Sequence, residues 1–148
     1  MGVEIGFGTA TITPGVPVTL AGFGDRHALA EAVHDELEVR AVVFGDGYPR
    51  LCLLVHDLLG MSRDASDAIR AAVGDELSLQ PAAVLPACIH THSGPSAITG
   101  SHGLGWVIPP DYTDRLVAAG RAAAAAGTAA AESATLRWAK GALPDHLS

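Results

Sequence analysis

The chain has 148 residues, which corresponds to about one domain and excludes a (β/α)8 barrel, since that fold needs about 250 residues. Hydrophobic residues make up 49% of the chain and charged residues 17%, a balance that excludes an intrinsically disordered protein. The formal net charge of −7 leaves no basic face for a phosphate backbone, so we do not expect a nucleic-acid partner. No apolar run is long enough to predict a membrane span. We therefore expect a single domain over residues 1–148, with no second domain.

The N-terminal residues and the cysteines bear on the cellular compartment. Residues 1–5 carry no basic segment and no long apolar stretch, so no secretory signal is predicted and a cytoplasmic location is expected. Cys52 and Cys88 both lie within apolar runs and do not make a disulfide framework, so we interpret them as buried apolar side chains. A hydrolase that uses Cys88 as its nucleophile is an alternative that the buried strand around it disfavours.

The first half of the chain predicts three strands. Residues 3–12 alternate apolar with small or polar side chains, whereas the glycine-rich residues 16–32 predict a loop. Residues 36–44 alternate and then become wholly apolar, as in a strand that is covered on both faces. A second apolar run, residues 51–55, follows a glycine turn, and this spacing predicts a hairpin.

The second half predicts a helix, a strand, a second helix and a last strand. Ser62 is the expected N-cap of a helix that ends near Leu77. Residues 82–89 predict a strand, in which Pro86 favours an edge position. The strands at 51–55 and 82–89 are then joined as a βαβ unit and should be parallel. A helix over residues 109–126 and a strand over residues 134–140 complete the α/β fold class, a mixed sheet with a βαβ unit and flanking helices.

The residues with the clearest chemical signal are 90–95, His-Thr-His-Ser-Gly-Pro, which directly follow a predicted buried strand. In extended backbone, His90 and His92 would project to the same side, and imidazole is the commonest side-chain ligand for zinc-like metals. Ser93 and Gly94 precede a proline in a turn that would leave backbone N–H groups facing a ligand. Two structural histidines in a turn are the alternative.

Further candidate residues lie at the end of the neighbouring strand. His56 and Asp57 follow residues 51–55, and the carboxyl ends of parallel strands meet in one crevice. Asp57 could orient a ligating imidazole there, although capping of the turn that follows is an alternative. His34 lies at the same end of the predicted hairpin and is expected to reach the crevice. The other histidines are expected at the surface: His27, His102 and His146.

Taken in order, these segments resemble the N-terminal part of the neutral (non-lysosomal) ceramidase family. The segment IHTHSGP is the most specific, because it resembles the family's Thr-His-Thr-His-Ser-Gly-Pro motif, and the resemblance spans nearly the whole chain. The similar segments are residues 6–13 (GFGTATIT), 21–24 (AGFG), 33–35 (VHD), 40–44 (RAVVF), 56–61 (HDLLGM) and 89–95 (IHTHSGP).

The resemblance implies zinc-dependent hydrolysis of an N-acyl amide. By resemblance, His90 matches a zinc ligand, and His92 matches an active-site histidine near the metal that would serve as general acid and base. This chemistry suits an amide, because a metal polarises the carbonyl oxygen and a histidine passes a proton to the leaving amine. We expect substrate-binding or ligand-orienting roles for His34, His56, Asp57, Ser93 and Gly94.

The resemblance also implies that part of the metal site lies outside the 148 residues. The family's other zinc ligands, a further histidine, a glutamate and a tyrosine, would follow Ser148, and a catalytic zinc normally has three protein ligands. We therefore expect the N-terminal portion of a ceramidase-like catalytic domain, whose remaining ligands come from the C-terminal remainder or from a second chain. A short self-sufficient protein that uses His92 and His34 is the alternative.

The expected function is a zinc-dependent amidohydrolase that acts on a small linear N-acyl amide other than ceramide. Residues 96–98, Ser-Ala-Ile, replace the family's glycine-rich continuation, so the contacts with the substrate should differ. An amide-forming acyltransferase in a biosynthetic pathway and a non-catalytic subunit that retains the fold are the alternatives. The sequence does not decide the substrate, the direction of reaction or the oligomeric state.

Overall fold

The computed structural model describes residues 2–100 and 105–141, so His102 and His146 lie outside the described residues. The described residues form a five-stranded mixed sheet and two helices, which confirms the predicted fold class. The elements are β1 (Val3–Thr11), β2 (Glu38–Gly45), β3 (Pro49–His56), α1 (Arg63–Leu77), a single 3-10 turn (Pro81–Ala83), β4 (Val84–Cys88), α2 (Tyr112–Ala129) and β5 (Glu132–Ala134).

The sheet has the strand order β4-β3-β2-β1-β5. β2 and β3 form the predicted antiparallel hairpin, and β3 and β4 pair in parallel around α1, which confirms the βαβ unit. β4 is an edge strand, as Pro86 indicated, because an edge position tolerates the missing N–H of proline. The Ser62 hydroxyl accepts a hydrogen bond from the Ala65 N–H at 3.4 Å and so provides the predicted cap of α1.

The last two elements differ from their predicted bounds. α2 begins at Tyr112 rather than Pro109, and its N-cap residue Asp111 adopts a left-handed conformation. A strand was expected over residues 134–140, but β5 covers only Glu132–Ala134, and residues 135–141 have no regular structure. The pairing with β1 explains why β5 ends at Ala134. Ala134 opposes Val3, which is the first residue of β1, so β1 has no residue to pair with those that follow Ala134.

Both helices pack against one face of the sheet. The main hydrophobic core lies between that face and the helices. On this face β1 carries Gly6 and Gly8, and α2 lies almost in contact with its backbone. A methyl group added to Gly6 would lie 1.8 Å from the Gly127 carbonyl oxygen, and one added to Gly8 would lie 2.1 Å from that of Ala123. These two glycines of the first strand therefore allow the helix to approach it. No helix within the described ranges has the length and apolarity needed to cross a membrane.

Substitution Gly6→Ala tests this close approach. We expect it to lower the free energy of unfolding by about 2 kcal/mol, because α2 must move away from the added methyl group. The measurement is urea unfolding of the variant beside Gly15→Ala, since a methyl group at Gly15 meets nothing within 4 Å. Equal unfolding midpoints for the two variants would contradict the packing described here.

Candidate functional site

The candidate site lies where β3 and β4 end side by side. The pairing continues past the strands, because the Ile89 N–H donates to the His56 carbonyl at 3.1 Å and the His90 N–H to the Leu58 carbonyl at 3.0 Å. These bonds hold residues 90–95 beside residues 56–59. The motif therefore lies at the carboxyl end of two parallel strands, where ligands bind in open α/β sheets.

His90 is held in a conformation that leaves one ring nitrogen available. Its backbone is left-handed, with a φ of 66°, and its Nδ1 atom lies 2.8 Å from the Leu59 carbonyl oxygen. Because a carbonyl only accepts, Nδ1 must carry the hydrogen, and Nε2 of the neutral ring then keeps its lone pair. A backbone carbonyl that fixes the tautomer in this way is typical of metal-ligating histidines. His90 is exposed, so Nε2 could take an external ligand.

His92 lies beside His90 and is fixed by a segment that the sequence analysis did not single out as functional. The two imidazole centroids are 5.3 Å apart, and the Phe23 ring contacts His92 edge-on at 4.8 Å. Arg26 donates to the His92 carbonyl at 2.8 Å and stacks over Phe23. The His92 ring also occupies the space that a side chain at Gly22 would need. The sequence signal for this segment was the presence of a phenylalanine and an arginine in an otherwise glycine-rich loop.

Substitution Gly22→Ala should displace the His92 ring. The added methyl group would lie 2.4 Å from the ring, and the φ of +109° at Gly22 disfavours any other residue. We expect the nuclear Overhauser contact between the His92 and Phe23 rings to be lost. Gly24→Ala is the matched control, because a methyl group there meets nothing within 4 Å. An unchanged contact in Gly22→Ala would contradict this account.

Asp57 uses its carboxylate to tie β3 to β2. Its Oδ1 atom lies 2.6 Å from Arg40 Nη1, and its Oδ2 accepts the Glu38 N–H at 3.0 Å. The hydrogen bond that Arg40 donates to the Asp57 carboxylate raises the pKa of Arg40. The carboxylate therefore has partners on β2, rather than the neighbouring imidazole or the turn considered from the sequence. The sequence analysis assigns Arg40 no role in the site, although it is the one basic residue of β2.

His56 faces the helices rather than the crevice. It has the same orientation on β3 as the buried Leu54, and its Nδ1 lies 3.0 Å from the Ala87 carbonyl, so Nδ1 carries the hydrogen. Its Nε2 and the hydroxyl of Tyr112 are buried without a hydrogen-bond partner in the described structure. Burial lowers the pKa of His56. The residue is therefore a neutral core histidine beneath the site.

This burial predicts a pH dependence of stability. Because the pKa of His56 is lower in the folded than in the unfolded chain, the unfolded state binds the proton first as the pH falls below about 6.5. The free energy of unfolding should then decrease by up to about 1.4 kcal/mol per pH unit until the folded pKa is reached. Urea unfolding at pH 7 and pH 5.5 measures the decrease.

His56→Gln should show a smaller decrease than the wild type between these two pH values. The matched control is His27→Gln, because His27 is exposed and should leave the pH dependence unchanged. Identical decreases in all three proteins would show that His56 is not the group responsible.

A cavity of about 630 Å³ lies on the other side of the motif from the imidazoles. Residues 91 and 93 face it, whereas His90 and His92 are not among its lining residues within the described chain. His34, paired with Asp35 at 2.6 Å, stands at its exposed rim. The structure thus brings His34, Asp57 and Ser93 together at the cavity. The apolar lining includes Val16, Val18, Leu20, Ala30, Val33, Leu37 and Ile89, and the polar lining includes Arg40, Thr91 and the three residues just named.

Gly94 has a backbone role at this site. It is buried, its carbonyl accepts the Ala21 N–H at 2.9 Å, and a methyl group on it would lie 3.1 Å from the Asp57 carbonyl oxygen. Gly94 therefore packs the motif against the end of β3. It also connects the motif to the loop that carries Gly22 and Phe23.

The metal-ligating capacity of the site is partial. The available Nε2 of His90 and the adjacent ring of His92 fit nitrogen ligands for zinc. Among residues 2–100 and 105–141, no group of three His, Cys, Asp or Glu side chains is placed to hold a metal ion. These residues therefore provide fewer than the three protein ligands that are usual at a catalytic zinc.

Comparison with known structures identifies the fold. The neutral ceramidase from Pseudomonas aeruginosa superimposes with a TM-score of 0.76 and 18% sequence identity over 89% of this chain. This chain has a ceramidase-like fold. A structure described as ceramidase complexed with C2 gives a TM-score of 0.73 and 20% identity over the same share. The chain spans 22% of each of these two longer chains. No protein-family model and no curated protein sequence matches the chain.

Proposed function

We propose that this chain is part of a ceramidase-like, zinc-dependent hydrolase that cleaves an N-acyl amide. The observation that carries the proposal is the pair of histidines His90 and His92. Their ring centroids are 5.3 Å apart, and the pair lies at the carboxyl ends of two parallel strands. The ceramidase-like fold supports the assignment to hydrolases. The proposed enzyme is cytoplasmic and acts on a small amide other than ceramide, and its remaining metal ligands come from polypeptide beyond these residues.

The two histidines have different proposed roles. His90 would hold zinc through Nε2, since the Leu59 carbonyl keeps the hydrogen on Nδ1. When bound, zinc supplies Lewis acidity toward a carbonyl oxygen and lowers the pKa of a water molecule. His92 would accept a proton from the attacking water and pass it to the departing amine, because an imidazole exchanges protons readily near neutral pH. The clamp formed by Gly22, Phe23 and Arg26 keeps His92 in place for this transfer.

The cavity beside the motif is suited to the substrate. Its volume of about 630 Å³ lies within the range of small-molecule sites, and most of its lining is apolar. An acyl group would pack against Val18 and Leu20. The amide end would extend past Thr91 and Ser93 at the cavity wall to the opposite side of the motif, where His90 and His92 lie. His34 and Arg40 would contact the more polar parts of the substrate.

A second candidate function is a binding subunit without catalytic activity. The partial ligand set favours it, because the described residues bring together no three potential metal ligands. In such a subunit the imidazole pair would have a structural role. Metal content separates this candidate from the hydrolase.

Substitution His90→Ala tests the hydrolase. The protein should be purified from its source cells, so that any partner polypeptide stays bound, and analysed for zinc by mass spectrometry. We expect about one zinc per wild-type chain and none in the variant, because His90 supplies a metal ligand. Hydrolysis of a series of N-acyl 4-nitroanilides of increasing acyl length should be lost together with the zinc.

His27→Ala is the control, since His27 is exposed and lies outside the proposed site. It should keep both zinc and activity. A full zinc content in His90→Ala would contradict the proposed ligand. Absence of zinc and of amidase activity in the wild-type protein would favour the binding subunit.

A further inference from the structure

The side chains that contact His92 come from a loop with little regular structure of its own. Residues 18–30 are closed at their base by two backbone hydrogen bonds, from the Val18 N–H to the Ala30 carbonyl at 3.1 Å and from the Ala30 N–H to the Val18 carbonyl at 2.8 Å. Between these two residues the loop contains neither helix nor strand. Such a loop keeps high conformational freedom unless contacts from other segments fix it. The position of the loop against His92 therefore depends on those contacts.

The histidine motif supplies the first set of contacts. The Gly94 carbonyl accepts the Ala21 N–H at 2.9 Å, and the His92 carbonyl accepts Arg26 at 2.8 Å. Phe23 lies between these two points in the chain, and its ring contacts the imidazole although the residue is 53% exposed. Burial alone does not fix a side chain with that much exposure. The backbone that carries Phe23 has to be held as well.

Residues 105–107 supply the second set of contacts, and Thr19 receives two of them. The Val107 N–H donates to the Thr19 hydroxyl at 2.9 Å, and the same hydroxyl donates to the Val107 carbonyl at 3.2 Å. A hydroxyl can do both, because it is a donor and an acceptor at once. The chain neighbours Val18 and Leu20 line the cavity, whereas Thr19 is not among its lining residues in the described chain. Thr19 thus acts on the loop without lining the cavity.

Trp106 acts on the loop closer to the histidine. It is 8% exposed, and its Nε1–H donates to the Phe23 carbonyl at 3.4 Å, since the N–H of a buried tryptophan usually finds a partner. The same carbonyl accepts the Arg26 N–H at 3.1 Å and so closes a turn. The two side chains of this turn, Phe23 and Arg26, are the ones that contact His92. The indole therefore supports the turn that fixes the imidazole.

We propose that Thr19 and Trp106 are positioning residues for His92, which they hold through the loop of residues 18–30. The role in the reaction rests on the proposed function, because it presupposes that His92 transfers a proton. A misplacement of a reacting group by about 1 Å can slow a reaction by up to about a hundredfold. Thr19 and Trp106 do not line the cavity within the described chain, so substrate binding there does not use their side chains. We therefore expect an effect on kcat rather than on KM.

The first test measures the position of the His92 ring without using activity. Thr19→Val keeps the shape of the side chain and removes its hydroxyl, whereas Trp106→Phe removes the indole N–H. Both variants should weaken the nuclear Overhauser contact between the His92 and Phe23 rings, with an unchanged far-ultraviolet circular dichroism spectrum. Thr19→Ser is the matched control, because it retains the hydroxyl and should retain the contact. A wild-type contact in both Thr19→Val and Trp106→Phe would overturn the proposal, as would an equal loss in Thr19→Ser.

The second test measures hydrolysis of an N-acyl 4-nitroanilide by protein purified from its source cells. Thr19→Val should lower kcat by about tenfold and leave KM unchanged, and Thr19→Ser should restore the wild-type kcat. A wild-type kcat in Thr19→Val, or a higher KM with an unchanged kcat, would overturn the positioning role and leave the hydrolase standing. A wild-type protein without amidase activity would instead contradict the proposed function. The nuclear Overhauser measurement would then still decide whether the two residues hold His92.

Discussion

The carboxylate of Asp57 joins the parts of the chain on which the candidate site depends. It accepts hydrogen bonds from the Glu38 N–H and from Arg40, and it is 10% exposed. A charge at that depth needs such partners, because an unpaired buried charge costs several kcal/mol. The carbonyl of the same residue lies against Gly94. One residue thus fixes the start of β2, the base of the cavity and the position of the histidine motif.

The elements whose patterns are local were predicted well from the sequence. The alternation in β1, β2 and β3 and the cap of α1 depend on neighbouring residues, so their types and their order could be predicted. The ends of elements depend on partners that are distant in sequence. β5 is shorter than expected because β1 has no residue left to pair beyond Val3. The start of α2 depends on the backbone conformation of Asp111, which its residue type does not determine.

The position of the histidine motif at the end of a parallel strand could be predicted, but the directions of the side chains around it could be predicted only in part. The sequence located the motif at the end of a parallel strand. The orientation of His56 follows from β-strand alternation, since it shares a face with Cys52 and Leu54, and this signal was available. Phe23 and Arg26 stand out in the glycine-rich loop, but their contact with His92 could not be predicted, because contacts across 66 and more residues depend on the tertiary fold. The left-handed backbone of His90 likewise ends the alternation on which the prediction of two converging imidazoles rested.

The left-handed backbone of His90 links a conformational cost to the orientation of its imidazole ring. A residue with a side chain in this conformation costs about 1 kcal/mol relative to glycine, although histidine tolerates it better than most residues. His90 keeps the conformation through two hydrogen bonds, from its N–H and its Nδ1 to the carbonyls of Leu58 and Leu59. The cost is therefore met during folding, and the imidazole is already oriented before any ligand arrives. A glycine here would remove the conformational cost, but it would also remove the Nδ1 hydrogen bond to Leu59, so the strain in the backbone and the orientation of the ring cannot be separated at this position.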